Sequence, residues 1–451
     1  MKAWIVLIYL VSLLLISSFH LGSTQDPVAI KGKLLHVSDI HLDPTGQQCS
    51  DPSGLETIRE ALRRQKPEQW LESELPKLRE VTGGAFGSFG CDTQPALLQS
   101  FSDYLKGLLA SEGIVLSGVI MSGDSVAHGI PSADMKIKAM STIDQAISAA
   151  VGAEVPLYVT IGNNDVSPDY NASCSSAFYA SIAADGYPGR IPEGQLPQWD
   201  LSASYAVQDP FGAGSGLLLS LDTVLFSAGN PNFAGVTDPC GAIAWLQGQL
   251  QDVPASTPVF LMGHIPPGVD PYSNTMLFAP QFQGSPALMK AVNSVSAGFF
   301  GHLHTDEFRL FYPGLPPVQF LQGSISPIYG ENPSFRILDY EISASGLSIL
   351  DYQQYYFDLA AANELGVPQW APSYAFSSEY GLPDCSSQSY ADLWHDLSSD
   401  YSTYLTWKAN TYSLSGNSAP APPNSTSEYL YVCAQRSLNT TVQQLCVSDL
   451  I

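Results

Sequence analysis

Positive charge is scarce in this sequence of 451 residues: 18 lysines and arginines face 42 aspartates and glutamates, a formal net charge of −24. Such a surface repels long polyanions and anionic membranes unless a local basic patch intervenes, so nucleic acid is not an expected partner. Cysteine is also sparse. Seven residues, at 49, 91, 174, 240, 385, 433 and 446, are too few to staple a chain of this length, and an odd count leaves at least one unpaired within the monomer. No two of them form C-x-x-C, so neither a thiolate zinc site nor a redox motif is expected. Long apolar runs are missing after the first residues, and no internal segment reads as a membrane span.

The exception lies at the start. Met1-Lys2, the apolar run Ala3 to Ile16 and the small polar residues Ser17, Ser18, Gly22 and Ser23 have the layout of a secretory signal peptide over residues 1–23. An uncleaved signal anchor is the alternative, and without one no stable membrane association is expected. Three Asn-x-Ser/Thr acceptors, at Asn171, Asn424 and Asn439, agree with a secretory route. The expected location is the cell exterior or the lumen of a vacuole or lysosome. An acidic protein suits low pH, where protonation relieves self-repulsion.

From Lys33 onward, short runs rich in Val, Ile, Leu and Phe end abruptly in Gly, Asp, His or Asn, the pattern of buried strands emptying into loops. The runs are 34–37, 118–121, 157–161, 217–221, 259–262 and 298–300. Helical stretches at 55–64, 95–109, 135–150 and 243–250 alternate with them, which predicts an α/β layered fold with sheets covered on both faces. Four further strand-like segments, 308–312, 318–321, 335–342 and 347–352, follow without helices and are expected to complete a second sheet. From about Gln353 the chain reads as helical, broken by a Ser/Pro/Asn-rich loop at 415–427. The expected divisions are the leader, a domain over 30–350 and a helical subdomain with a disulfide over 351–451.

Five of the eight histidines (His41, His128, His264, His302 and His304) fall just after an expected strand. Sites in α/β sheets gather at such ends. In Asp39-Ile40-His41 the one-residue gap puts both side chains on one side of a strand, where they can share a metal, and His302-Leu303-His304 repeats the device. Gly123-Asp124, Gly162-Asn163-Asn164-Asp165 and Gly263-His264 add donors, each after a glycine that permits a tight turn. Taken singly, each block is better explained by a histidine bonded to backbone in a core. Five blocks in the order D-x-H, G-D, G-N-x-D, G-H, G-H-x-H are not.

Those blocks over residues 34–305 resemble the calcineurin-like metallophosphoesterases. Within them the chain is most similar to the branch of acid sphingomyelinase, the acid-sphingomyelinase-like phosphodiesterases and endopolyphosphatase, on the residues His36 to Asp43, Cys91-Asp92, Gly123-Asp124 to His128, Gly263 to Gly268, Asn332 to Arg336 and Asp351 to Leu359. The resemblance implies a β-sandwich flanked by helices with two divalent metal ions. One would be bound by Asp39, His41, Asp124 and His304, the other by Asp124, Asn163, His264 and His302, with Asp124 as the bridge. It favours zinc, although the residues also admit iron or manganese. The implied chemistry is in-line attack on phosphorus by a hydroxide bridging the metals.

The family's usual block reads Gly-Asn-His-Asp/Glu, whereas this chain has Asn164 where that His stands. An amide can donate a hydrogen bond but is no general acid. Either His128 supplies the proton to the leaving oxygen, or the leaving group needs little protonation, as in a phosphoanhydride. Endopolyphosphatases of the branch also read Gly-Asn-Asn-Asp, and a basic pocket including Arg309 or Arg336 would reconcile polyphosphate with the acidic composition. The expected substrate is therefore a small phosphoester, a nucleotide or polyphosphate. Sphingomyelin is disfavoured because no saposin-like segment precedes the catalytic region. A binding protein that keeps metal without turnover is the competing reading, motivated by Asn164. The resemblance pairs Cys433 with Cys446 and Cys49 with Cys91; Cys174 with Cys240 is a further candidate. The aromatic cluster Tyr352, Tyr355, Tyr356, Trp370 and Tyr374 is expected to pack rather than to line a cleft. Oligomeric state is left open.

Overall fold

The computed structural model describes residues 29–43, 84–212, 216–254, 256–311, 314–343, 346–417 and 421–451. The expected leader, the helical stretch 55–64 and Cys49 lie outside them. Two six-stranded sheets form the core. The first has the spatial order β14 (Trp370–Ala375), β13 (Gly346–Phe357), β12 (Ser334–Ser343), β1 (Ile30–Val37), β2 (Gly118–Met121), β3 (Leu157–Val159). The second runs β10 (Glu307–Arg309), β11 (Gln319–Leu321), β9 (Ala297–Phe300), β6 (Val259–Met262), β5 (Leu217–Ser220), β4 (Tyr205–Gln208). The hairpin of β7 (Val269–Asp270) and β8 (Thr275–Met276) stands apart.

Every residue of β2, β5, β6 and β9 is buried, as an uninterrupted apolar run requires when both faces are covered. Alternate residues serve different layers. Leu34, Ile120, Leu218, Phe260, Phe299 and Leu338 pack between the sheets. Leu35, Val37, Val119 and Met121 face outward against α1 (Pro95–Glu112) and α2 (Ala133–Val151), through Phe101, Leu105, Met140 and Ile143. On the other sheet Leu219 and Leu261 meet α3 (Ala242–Leu250) through Ile243 and Leu246.

The four late segments divide between the sheets instead of completing one. β10 and β11 extend the second sheet from β9, whereas β12 pairs antiparallel with β1, from Ile30 opposite Ile342 to His36 opposite Arg336, and β13 and β14 follow it. A pairing across some three hundred residues leaves no trace in local periodicity. The helical reading of the C-terminal region holds except at its start: β13 continues to Phe357 and β14 lies beyond it, with short helices at Leu359–Leu365 and Phe376–Tyr380 on either side of β14. The helices α4 (Ser387–Ser399), α5 (Tyr401–Thr411), α6 (Thr426–Ala434) and α7 (Thr440–Leu450) come later. Disulfides join Cys174 to Cys240 and Cys433 to Cys446. Cys91 is also disulfide-bonded, and Cys385 is free and buried.

Candidate metal centre and active site

β1, β2 and β3 run parallel, as do β5, β6 and β9, and loops at their carboxyl ends deliver the expected residues. Asp39 and His41 follow β1, Asp124 and His128 follow β2, Asn163 and Asn164 follow β3, His264 follows β6, and His302 and His304 follow β9. Strand alternation is not what aims them. β1 ends at Val37, and Asp39, His41, Asp124, His302 and His304 all have left-handed backbone, with φ of 49, 46, 50, 74 and 61°. Leaving the strand, the chain must turn its donors out of the pleat and into the cleft. Each such residue costs about 1–3 kcal/mol, offset here by tight loop pairing such as Asp39 N–H to Gly123 C=O at 3.0 Å and His41 N–H to Asp124 C=O at 2.9 Å.

The expected ligands form two groups, Asp39 with His41 and His304, and Asp124 with His264 and His302, and a third cluster able to hold a cation, His41 with Asp92 and His128, adjoins the first. His41 Nε2 lies 3.0 Å from His304 Nε2, and His304 Nε2 is 3.4 Å from Asp39 Oδ1. His264 Nε2 is 3.1 Å from Asp124 Oδ2 and 3.1 Å from Asn163 Oδ1. Asp124 Oδ2 also lies 3.5 Å from His41 Nε2, so one carboxylate oxygen touches both groups. Four ligands on arms of about 2.0–2.1 Å stand about 3.3 Å apart around a tetrahedral cation. Separations of 3.0–3.5 Å among His41, His304, Asp39, Asp124, His264 and Asn163 therefore fit metal ions, and facing imidazole nitrogens are themselves a reason to place a cation between them. Ring orientation is fixed from behind: His264 Nδ1 meets Ser122 C=O at 2.8 Å and His304 Nδ1 meets Glu331 Oε1 at 3.1 Å, which turns both Nε2 atoms inward. Burial would raise the Asp39 carboxyl, but His304 and His264 hold it at about 2. Burial likewise opposes ionisation of Asp124, and His264, His41 and the Asn164 N–H overcome it, holding its pKa well below the usual range. Ionised carboxylates are what metal binding needs.

The two residues expected to do chemistry are placed differently. Asn164 is buried, and its side-chain amide and its backbone N–H donate to the two oxygens of Asp124, both at 2.8 Å. His128 stacks on His41 with centroids 4.4 Å apart and 3° between planes. Its Nδ1 is 3.1 Å from Asp92 Oδ2, its backbone N–H donates to the same oxygen at 2.8 Å, and Tyr329 Oη lies 3.3 Å from Nε2.

A pocket of about 420 Å3 opens over this centre, lined by Asp124, His128, Asn163, Asn164, His302 and His304 and walled by Tyr170, Tyr272, Tyr329 and Tyr412. No lysine or arginine is among its described lining residues. The basic pocket conceived around Arg309 and Arg336 is corrected: both are fully buried in the core. Arg309 binds Glu307 and Gln435, and Arg336 binds Asp306 and Gln322 while lying over the Tyr352 ring. Tyr352, Tyr355 and Tyr374 are buried away from the pocket. Sequence reasoning missed the supports Asp92, Glu331 and Asp165, the last accepting from the N–H groups of Gly162, Ser125 and Val126 and tying two donor loops together. Cys91-Asp92 and the block Gly162-Asn163-Asn164-Asp165 marked two of them without showing their supporting role; Glu331 looks like any other acid until the fold buries it.

Two layered sheets with carboxylate and imidazole donors gathered at their strand ends define a metal-dependent hydrolase of phosphoesters. The chain belongs to the calcineurin-like phosphoesterase family, which it matches over residues 32–306, and residues 314–450 match the acid sphingomyelin phosphodiesterase C-terminal region. It is similar to the sphingomyelinase phosphodiesterase D of Dictyostelium discoideum, 29% identical over 78% of this chain and 81% of that one. It is 25% identical to the acid sphingomyelinase-like phosphodiesterase 3b of Homo sapiens over 94% and 91% of the two chains. To the cyclic GMP-AMP phosphodiesterase of Rattus norvegicus it is 24% identical, over 92% of each.

Proposed function

We propose that this enzyme hydrolyses phosphodiesters with two divalent cations, zinc in preference, the first held by Asp39, His41, Asp124 and His304 and the second by Asp124, Asn163, His264 and His302. The observation that carries the reading is the single oxygen of Asp124 lying within 3.5 Å of His41 and 3.1 Å of His264. Cations held by these residues would neutralise phosphoryl charge and lower the pKa of a bound water. His128 protonates the leaving oxygen: Asp92 takes its Nδ1–H, which leaves Nε2 directed at the pocket and steadied by Tyr329. Asn164 is no acid; it holds both oxygens of Asp124 in register.

The organic part of the diester rests on the tyrosine walls. Two of the relatives are named as phosphodiesterases, one as a sphingomyelinase phosphodiesterase and one for cyclic GMP-AMP, which supports a phosphodiester substrate. A polyanion finds no cation among the described lining residues, so Gly-Asn-Asn-Asp alone is a weak argument for polyphosphate. The disulfides fit an oxidising lumen or the cell exterior.

Chelation is expected to abolish hydrolysis of bis-p-nitrophenyl phosphate with zinc restoring it, and Asp124→Ala to lower kcat by about a thousandfold or more. Activity that survived both treatments would end the dimetal reading. Shortening of long-chain polyphosphate by a protein inert on diesters would instead overturn the substrate class.

A further inference from the structure

Lys136 is a lysine where α2 faces the core. It is fully buried, on the same helix face as Ala139, Met140 and Ile143. Lysine is almost never buried completely unless its charge is satisfied, and an apolar side chain would fill this helix position as well. The ammonium spends its three protons on three acceptors: the carbonyl of Asn164 at 2.6 Å, the carbonyl of Val166 at 2.5 Å and Asp169 Oδ1 at 2.9 Å. None of these belongs to α2. All three belong to the turn that carries Asn163 and Asn164.

The partners of those acceptors lead to the reacting groups. Asn164 is the residue whose N–H and side-chain amide grip Asp124. The second oxygen of Asp169 accepts the N–H of Gly129 at 3.2 Å, and Gly129 follows His128 directly. One buried charge thus joins the turn after β3, which bears a metal donor, to the turn after β2, which bears the acid. We propose that Lys136 is a positioning residue for catalysis, setting through Asp169 the placement of His128 relative to Asn163 and Asn164. The proposal rests on the reading of His128 as the general acid.

The full-length, metal-loaded enzyme tests it with Asp169→Asn. The amide keeps an oxygen for Lys136 but sets an N–H2 against the Gly129 N–H and so breaks the tie to the His128 turn; because it also removes a charge that raises the His128 pKa, kcat is compared on the plateau of each pH–rate profile, where the acid is protonated. For an alkyl diester, whose leaving group needs a proton, kcat is expected to fall about tenfold, part of the factor a general acid supplies. For bis-p-nitrophenyl phosphate it is expected to stay within about twofold, with KM and bound metal unchanged. Lys136→Met releases the Asn164 carbonyl too, and is expected to lower kcat on both substrates. A loss of thermal stability alone would leave the ratio of the two rates unmoved. An unchanged ratio in Asp169→Asn overturns the clamp even if Lys136→Met fails to fold, as does unchanged kcat on both substrates in a folded Lys136→Met. If the wild-type protein shows no chelator-sensitive turnover, the proposed function fails and the clamp falls with it; an active wild type with an unmoved ratio removes the clamp alone.

Discussion

His128 and Asp92 form the pair on which leaving-group chemistry turns. Burial presses the His128 imidazole toward its neutral form, but the charge of Asp92, its hydrogen bond and the more distant Asp124 outweigh that and push the pKa up to about 9. The sign follows directly. A raised pKa keeps the acid form below that value and loses it as pH rises through it, so kcat on a diester with a poor leaving group declines on the alkaline side. Cations beside His41 and Asp124 would repel the imidazolium and bring that limb below 9. Asp92→Asn removes the largest opposing charge, and the limb is expected to move to lower pH by on the order of one unit. A pH–rate profile of the variant decides it: a limb that does not move would mean Asp92 merely orients the ring. The same scale explains which residues were legible. Every expected ligand lies in a short motif beside a glycine or one residue from another donor, whereas Asp92 and Glu331 act only because the chain returns them to the imidazoles from 36 residues before His128 and 27 after His304.

At the scale of elements, β12 holds the first sheet to its helices, and Phe335 is the contact that shows it. Its ring stacks on Tyr355 of β13 at 4.9 Å, meets Phe101 of α1 edge-on at 5.2 Å and Trp370 of β14 at 5.7 Å, with no exposed surface. Phe335→Ala is expected to destabilise the fold by about 3–5 kcal/mol in urea unfolding, with kcat per folded molecule unchanged because none of its ring partners, Phe101, Tyr104, Tyr355 and Trp370, is a metal donor or lines the pocket. A loss below about 1 kcal/mol would show that α1 and β14 close over the gap. β12 was visible as a strand and invisible as a neighbour. Periodicity identifies buried strands such as β2, β5, β6 and β9, whose runs are apolar but for Ser220, but the antiparallel pairing of β12 with β1 depends on how distant segments bury each other. β4 and β14 escaped for another reason. Both are sheet edges, of mixed composition, and β14 carries Pro372, which an edge tolerates and a central strand does not.

Across the whole molecule, the excess of acid and the burial of acid act in the same direction. A formal net charge of −24 makes the folded chain repel itself more as pH rises. Asp222 adds a specific contribution. It is completely buried beside the second sheet, and burial pushes its carboxyl up to about 8 although the N–H groups of Val224 and Leu225 pull it down. The folded state therefore keeps a proton that the unfolded chain has released by about pH 4. Stability from this group is complete below the unfolded value and is lost progressively as pH rises from about 4 through 8, to a total of a few kcal/mol. The metal-free protein is thus expected to lose several degrees of Tm between pH 5 and pH 8, and fewer with cations bound at His264, whose charge lowers the Asp222 pKa. Asp222→Asn separates the two causes, since it removes the titrating proton and leaves the surface charge in place. If Asp222 matters as its burial implies, the variant's Tm changes less over that range than the wild type's. Parallel curves would assign the whole dependence to surface repulsion, and salt would then flatten both alike.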